Sequence, residues 1–140
     1  MKVRDVMSEE VECVRPDTPI LEAAKIMQKS DVGSVPVCDN KRLLGIVTDR
    51  DIVVRGIASH GNPMSLNAGQ VMSTDVVTVA PDTDVHQASA LMSDHQVRRL
   101  PVVERGEICG MLALGDLAVE RVHVNEAGEA LSDISHGIQH

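Results

Sequence analysis

Apolar positions along the chain predict short strands that alternate with helices. The β-branched run Val11–Val14 stops at a proline-containing turn, which predicts a first strand. Thr18 then caps a predicted helix that runs to about Ser30, with Pro19 as its first residue. Apolar side chains recur in this segment at the spacing of one helix face: Ile20, Ala23, Ala24 and Met27. The chain is therefore predicted to begin with a strand followed by a helix.

Two continuous apolar runs follow this helix. Ser34–Cys38 and Leu43–Val47 are joined by the polar segment Asp39–Arg42, a pattern that predicts a β-hairpin. The polar residues Thr48–Asp51 then begin a second helix, whose apolar side chains extend to Ile57. One unit of the chain is thus predicted to be β-α-β-β-α.

The chain contains this unit twice. Shifting the sequence by 65 residues against itself aligns five motifs without a gap: Met7-Ser8 with Met72-Ser73, Pro16-Asp17-Thr18 with Pro81-Asp82-Thr83, Pro36-Val37 with Pro101-Val102, Gly45 with Gly110, and Asp51 with Asp116. Agreement in one register over this length indicates two copies of one unit. The second copy has its predicted elements at Val76–Val79, Val85–Met92, Leu100–Val103, Ile108–Leu112 and Gly115–Val122.

These patterns predict an α+β fold with α/β-like character, made of two repeats and a tail. Residues 1–62 form the first repeat, residues 63–124 the second, and residues 125–140 a tail with a weak helical pattern. The joint falls near residues 59–63, where helix-breaking residues cluster. A unit of roughly 60 residues buries too little apolar surface to be stable alone. We therefore expect the two repeats to pack sheet to sheet with pseudo-twofold symmetry.

Composition narrows the classes of function. Apolar residues make up 43% of the chain, but Phe, Tyr and Trp are absent, so the core must be aliphatic. A ligand base would lie between aliphatic side chains and backbone rather than on a stacking ring. Thirteen basic against 21 acidic side chains give a net charge of −8, which argues against nucleic-acid binding. No apolar run reaches the ~18 residues of a membrane span and no signal peptide is recognisable, so we expect a cytoplasmic protein without membrane contact.

Cysteine and histidine give no metal-binding signature. Cys13, Cys38 and Cys109 have no CxxC spacing and fall in or beside apolar runs, which is typical of buried reduced thiols. Of the six histidines, only His136 and His140 stand four residues apart, and no HxH motif is present. We predict no metal site from the sequence, although a site assembled from distant segments stays open.

The segment Gly45–Asp51 carries the first candidate chemistry. Thr48 and Asp51 stand three residues apart, where a strand is predicted to end and a helix to begin. One interpretation is a reciprocal helix cap, in which Thr48 accepts from the amide near Asp51 and Asp51 reaches back. The other is that the hydroxyl and the carboxylate hold the two hydroxyl groups of a ribose, with a phosphate nearby. The spacing alone leaves both interpretations open.

The adjacent arginines Arg98 and Arg99 are the second candidate. They precede a predicted buried strand in an otherwise acidic protein. They are either solvated surface charge or a pair that meets a phosphate, because the planar guanidinium matches phosphate oxygens. The corresponding residues of the first copy are Gly33 and Ser34, so a phosphate site of this kind would exist on one side only.

Together these motifs resemble a tandem cystathionine β-synthase (CBS) domain pair, also called a Bateman module. The resemblance rests on the doubled unit, on the strands around Val35–Val37 and Leu100–Val102, and above all on Gly45–Asp51. It extends over about Val3–Val122 and includes small bacterial CBS pairs that stand alone, so no attached catalytic domain is expected. The resemblance implies a cleft between the repeats with two potential sites for an adenine nucleotide or a related adenosyl ligand.

The family pattern gives particular residues a role. It implies that Thr48 and Asp51 hold the ribose and that Arg98 and Arg99 meet the phosphates. Weaker candidates for the wall of the base pocket are Val11, Cys13, Pro36 and Val37.

The second copy departs from the pattern. It keeps the carboxylate as Asp116, but Ala113 stands where the first copy has Thr48, and Gly115 loosens the start of the helix. We therefore expect one competent site and one weak second site at Asp116.

The resemblance implies a regulatory module that binds AMP, ADP or ATP and signals by a change of conformation or assembly. The arginine pair favours a phosphorylated ligand over S-adenosylmethionine, and no other cofactor is required. We expect an unidentified protein partner to read the change of conformation or assembly. The alternative is a structural or protein-interaction CBS pair with a vestigial or metal-responsive cleft. An enzyme is not expected, because no nucleophile with a histidine, phosphate-binding loop or catalytic carboxylate pair is recognisable.

The resemblance also implies a homodimer formed through helices. The predicted helices that end each repeat carry apolar side chains in excess of what a small unit buries: Ile52, Val53, Val54, Ile57, Leu117, Ala118, Val119 and Val122. The alternative is that these helices pack only on their own sheets.

Overall fold

The computed structural model describes residues 1–119, with the side chains of Ala118 and Val119 left out. The chain forms two compact units. The first, here called the central unit, is Glu12–Val76. The second, here called the outer unit, combines Met1–Val11 with the chain from Val77 onward. The units are therefore offset from the sequence repeats, because the first 11 residues belong with the second copy. The predicted tail at residues 125–140 lies outside the described residues.

The central unit is built on a helix and a hairpin. Helix α1 spans Ile20–Ser30 and is followed by strands β1, Ser34–Asp39, and β2, Arg42–Thr48. The strands are antiparallel, with a register shift between Val37 and Cys38. The hairpin predicted from the two apolar runs is confirmed.

A continuous helical stretch leaves the end of β2. It consists of α2, Asp49–Asp51, then a π-helix, Ile52–Ile57, and then α3, Ala58–His60. Gly56 is buried here, and a Cβ at this position would lie 3.4 Å from the Ile20 side chain. A short 3₁₀ turn, Pro63–Ser65, and helix α4, Ala68–Val71, complete the unit. The predicted second helix is confirmed, but the wide π-turn in its middle was not expected.

Two predictions for the first strand and the first helix are wrong. Val11–Val14 is not a strand, because only Val14 pairs with β1, through one parallel bridge to Val37 before the chain turns at Pro16. Helix α1 begins at Ile20 without a side-chain cap, and the Thr18 hydroxyl instead accepts from the Arg15 amide at 3.0 Å. Thr18 thus closes the turn before the helix.

The outer unit repeats the architecture. Helix α5 spans Val85–His95, strands β3 and β4 span Arg99–Glu104 and Glu107–Ala113, and helix α6 spans Leu114–Val119. The two strands are antiparallel and shift register at the position that matches the shift in the central unit. The predicted strand Val76–Val79 is again wrong, since only Val79 forms a bridge, to Val102. The mixed α+β fold of two similar units is confirmed.

Each unit has its own aliphatic core. In the central unit the buried side chains are Val14, Ile20, Met27, Val35, Val37, Val47, Leu66, Ala68 and Val71. In the outer unit they are Val3, Val79, Val85, Ala88, Met92, Leu100, Val102, Leu112, Leu114 and Leu117.

Within residues 1–119, no helix is both long and apolar enough to cross a bilayer.

Candidate functional site

Thr48 and Asp51 form a reciprocal cap where β2 passes into α2. Thr48 has extended backbone angles, and its hydroxyl oxygen accepts from the Asp51 amide at 3.0 Å. The Asp51 carboxylate accepts in turn from the Thr48 amide at 3.0 Å. Two backbone donors at the helix start are therefore satisfied by side chains. The capping geometry predicted for this pair is present.

The Asp51 carboxylate lies almost out of solvent. Asp51 is only 8% exposed, and Asp51 and Ser89 are the buried polar or charged residues within the described part of the chain. Its second oxygen, Oδ1, lies 3.5 Å from the Ser73 hydroxyl and 3.8 Å from Nε of Arg55. These contacts place one hydrogen-bond donor and one positive charge beside the buried carboxylate.

The cap leaves bonding capacity at both side chains. A threonine hydroxyl that accepts one hydrogen bond can still donate its own hydrogen. A carboxylate oxygen with two long contacts can still accept a shorter hydrogen bond. The cap therefore fixes the direction of Thr48 and Asp51 while keeping a donor and an acceptor for two neighbouring hydroxyl groups. Helix capping and ribose binding are compatible in this geometry.

The outer unit has half of this arrangement. The Asp116 carboxylate accepts from the Ala113 amide at 2.8 Å, as Asp51 does from Thr48. Ala113 has no hydroxyl to return a bond, and Gly115 is exposed at the start of α6. Among the described residues, this junction therefore has one hydrogen bond between backbone and side chain where the central unit has two.

The arginine pair lies at the start of β3. Arg98 is exposed and precedes the strand, whereas Arg99 is its first residue and is half-buried. The Arg98 carbonyl accepts from the Leu114 amide at 2.8 Å. Within residues 1–119 neither guanidinium forms an ion pair.

The matching position in the central unit is Gly33, which lies beside an acidic side chain. The Gly33 carbonyl accepts from the Asp49 amide at 3.0 Å, which is the counterpart of the bond between Arg98 and Leu114. A Cβ on Gly33 would lie 3.2 Å from an Asp49 carboxylate oxygen. A negative charge therefore stands beside Gly33, and it disfavours a phosphate there.

The residues predicted for the base wall differ in exposure. Pro36 is buried, and Val37 is a fully buried member of the central core, so it offers no surface to a ligand in this structure. Cys13 is half-buried. Val11 is half-buried as well, but it belongs to the outer unit.

Two of the three cysteines are in contact. The Cys38 thiol donates to the Cys13 sulfur at 3.2 Å, and all three cysteines are free thiols. This bond lowers the pKa of Cys13 and raises the pKa of Cys38, which burial raises further. Burial raises the pKa of Cys109. The prediction of three buried thiols is right for Cys38 alone, because Cys13 and Cys109 are half-buried.

Sequence reasoning did not find Ser73, Arg55 or the thiol pair. Arg55 follows Asp51 by four residues, a spacing that places it on the same helix face and could have signalled the contact. Ser73 is 22 residues from Asp51, and Cys13 is 25 from Cys38. Separations of this size carry no local signal.

A repeated unit of helix, hairpin and helix, with a carboxylate at each strand-to-helix junction, defines the class of paired α+β repeat modules. The chain belongs to the CBS domain family. The model of the CBS domain matches residues 3–56 and again residues 68–123, so both sequence repeats are CBS domains.

Relatives of similar length support this assignment. The chain is 42% identical over 134 residues to the CBS domain-containing protein YhcV of Bacillus subtilis, and the match covers 96% of this chain and 95% of the relative. A crystal structure of Hypoxic Response Protein I with two coordinated zinc ions matches with a TM-score of 0.78 and 33% identity, over 86% of this chain and 98% of that one. A crystal structure of CBSX2 in complex with AMP matches with a TM-score of 0.75 and 25% identity, over 89% of this chain and 98% of that one.

The positions of the potential metal ligands bear on metal binding. Among residues 1–119, no group of three or more His, Cys, Asp or Glu side chains is placed to hold a metal ion. Three of the six histidines, His123, His136 and His140, lie outside the described residues.

Proposed function

We propose that this CBS pair is a regulatory module that binds AMP, ADP or ATP, with Thr48 and Asp51 holding the ribose hydroxyls. The observation that carries the proposal is the reciprocal cap, which orients both side chains and leaves a donor and an acceptor for a vicinal diol. The AMP complex of CBSX2, which has the same fold, supports an adenine nucleotide as the ligand class. The nucleotide acts as a regulatory ligand, and the module performs no chemistry on it.

Charge supports a single strong site. Arg98 and Arg99 form no ion pair within residues 1–119 and supply two guanidinium groups for the phosphates, whereas the matching position holds Gly33 beside the Asp49 carboxylate. Asp116 stands without a threonine partner and makes the second site weak. Val11, Cys13 and Pro36 remain the proposed contacts of the base, whereas Val37 is fully buried in the central core.

We further propose that the protein acts as a homodimer whose assembly or shape a protein partner reads. Val53, Val54 and Ile57 support the dimer, because these large apolar side chains of the π-helix are 55%, 44% and 46% exposed. Leu117, in contrast, is fully buried in the outer core. Ala118 and Val119 have undescribed side chains, and Val122 lies outside the described residues.

Calorimetric titration of the nucleotide-free protein with AMP, ADP, ATP and S-adenosylmethionine tests the proposal. We expect about one equivalent of a phosphorylated nucleotide per chain and no heat with S-adenosylmethionine. Thr48→Ala, which installs the residue found at Ala113 in the other repeat, should weaken binding about tenfold or more, since one hydrogen bond to a buried hydroxyl is worth about 1–3 kcal/mol. Asp116→Ala is the matched control and should leave this affinity unchanged.

Removal of Asp51 must be separated from loss of the cap. Asp51→Ala removes the acceptor of the Thr48 amide, while the backbone amide of residue 51 can still donate to the Thr48 hydroxyl. Loss of this half of the cap should cost about 0.5–2 kcal/mol of stability. Asp51→Asn keeps a side-chain acceptor for the Thr48 amide and isolates the role of the charge, so it should bind nucleotide weakly while remaining folded. Absence of heat with all four ligands in the folded native protein would contradict the nucleotide proposal. Zinc titration and partner capture would then test the metal-responsive and interaction alternatives.

A further inference from the structure

Cys13 and Cys38 form a thiol pair that the fold holds in place. Their sulfur atoms are 3.2 Å apart. The neighbouring residues fix this approach, because the Val14 amide donates to the Pro36 carbonyl at 3.0 Å and the Cys38 amide donates to the Val14 carbonyl at 2.8 Å. The two cysteines therefore sit on either side of the single bridge that ties residues 12–15 to β1.

The pair belongs to one repeat only. Advancing each residue by the repeat length of 65 leads to Thr78 and Val103, neither of which is a thiol. Val79 and Val102 nevertheless form the same parallel bridge in the outer unit as Val14 and Val37 do in the central unit. The bridge therefore forms without cysteines, and packing at this point does not require them.

We propose that Cys13 and Cys38 are a redox-responsive modification site, at which a hydroperoxide converts the two thiols into an intramolecular disulfide. The two thiols differ in their exposure to solvent, and this difference suits the reaction. Cys13 is half-buried and can meet a small oxidant, whereas Cys38 is 2% exposed and can reach only its neighbour. Cys13 is therefore the attacking thiol and Cys38 the resolving thiol.

The reaction balances in two steps. Cys13 loses a proton, and its sulfur attacks one peroxide oxygen, so that the O–O bond breaks, a sulfenic acid forms and the other oxygen leaves as water or an alcohol after taking a proton. The sulfur of Cys38 then attacks the sulfur of Cys13. The S–O bond breaks, and hydroxide leaves as water with the proton of Cys38. Two thiols and one hydroperoxide thus give one disulfide, and the lowered pKa of Cys13 assists the first step.

Treatment of the full chain with hydrogen peroxide, followed by intact mass measurement and peptide mapping, tests the site. The expected product is a monomeric chain lighter by two hydrogen atoms, with Cys13 linked to Cys38. Alkylation of the denatured product should then label one cysteine where the untreated protein offers three. Dithiothreitol should restore all three labels.

The chain itself supplies the control variants. Cys13→Thr and Cys38→Val introduce the residues that the other repeat holds at these positions, and each should abolish the mass loss. Cys109→Ala should retain it. A linkage through Cys109, a disulfide between two chains, or accumulation of oxygen adducts on Cys13 in the native protein would overturn the proposal. Because the native protein is mapped directly, the result does not depend on the folding of any variant, and it is independent of nucleotide binding.

Discussion

Gly45 and Gly110 show how a single missing side chain permits a backbone contact. A Cβ at Gly45 would lie 2.7 Å from the Ser73 carbonyl oxygen and 2.8 Å from the Met72 sulfur. At Gly110 the matching distances, to Ser8 and Met7, are 2.8 and 2.7 Å. Beside each glycine, the next strand residue exchanges two backbone hydrogen bonds of 2.9 Å with the serine. Glycine is required because the two backbones approach too closely for any side chain.

The two glycines should respond alike to substitution. We expect Gly45→Ala and Gly110→Ala each to lower the free energy of unfolding by about 1–3 kcal/mol, because the added methyl group must displace backbone. Gly115→Ala is the matched control, since nothing lies within 4 Å of a Cβ there. As an exposed helical position it should gain up to about 1 kcal/mol. Urea unfolding measures all three, and an unchanged midpoint for Gly45→Ala would contradict the steric argument.

Individual residues of the site could be predicted from the sequence only where their contacting residues lie close by along the chain. Thr48 and Asp51 were identified because a hydroxyl and a carboxylate three residues apart make a local motif, and local motifs are visible in sequence. Ser73 and the thiol pair were not identified, since only the folded chain brings them to their partners. Val37 was named as a ligand contact from its motif, whereas the structure buries it completely.

The hairpins were predicted correctly from the sequence, whereas the first predicted strand was not. The hairpin strands pair with neighbours that are adjacent in sequence. Both hairpins were predicted because continuous apolar runs flank a short polar segment. In the structure the second turn consists of Arg105 and Gly106, which have the positive φ angles that two-residue turns require. The run Val11–Val14 has the same β-branched character, yet only one of its residues pairs. A composition typical of strands indicates extended backbone, but it does not by itself specify pairing with a neighbouring strand.

The N-terminal segment is fastened to the outer unit by charge and by backbone bonds. The Val3 amide donates to the Thr83 carbonyl at 2.8 Å, and the Arg4 amide donates to the Pro81 carbonyl at 3.0 Å. The Arg4 guanidinium forms an exposed ion pair with Asp82, which Lys2 joins at 3.6 Å. These contacts join residues 2–4 to the turn at residues 81–83.

Weakening this ion pair should loosen the segment without unfolding the unit. The hydrogen bond and charge of Arg4 lower the pKa of Asp82. The ion pair therefore stabilises the folded chain above the ordinary carboxyl pKa, and this stabilisation is lost as pH falls through the lowered pKa. We expect Asp82→Asn to speed hydrogen exchange at the Val3 and Arg4 amides at neutral pH. Acidification should reduce the difference from the native protein. Equal exchange in both proteins at neutral pH would show that the ion pair plays no part.

A disulfide between Cys13 and Cys38 would enclose helix α1 and most of β1. Closing a loop of this length restricts the unfolded chain and should stabilise the central unit by about 3.5 kcal/mol. Urea unfolding of the peroxide-treated and the reduced protein measures the difference, and Cys13→Thr should show none. A lower stability after oxidation would mean that the disulfide strains the bridge at Val14.

At the scale of the whole molecule, the exposed apolar side chains of the π-helix, Val53, Val54 and Ile57, support the proposed dimer. We expect the native protein to have the mass of a dimer by light scattering at micromolar concentration. Val53→Asp should give a monomer, because a charge placed in an apolar interface must be desolvated. Asn40→Asp adds the same charge at the exposed turn between β1 and β2 and should leave the dimer intact. A monomeric native protein would contradict the proposed assembly.

The offset between the sequence repeats and the compact units bears on how the chain folds as it is made. A ribosome releases Met1–Val11 before the central unit, but the residues that this segment contacts, such as Pro81 and Thr83, emerge some 80 positions later. The central unit, Glu12–Val76, is by then fully synthesised. Folding during translation can therefore complete the middle of the chain before its beginning, and the leading segment must wait unpaired until the second half has left the exit tunnel.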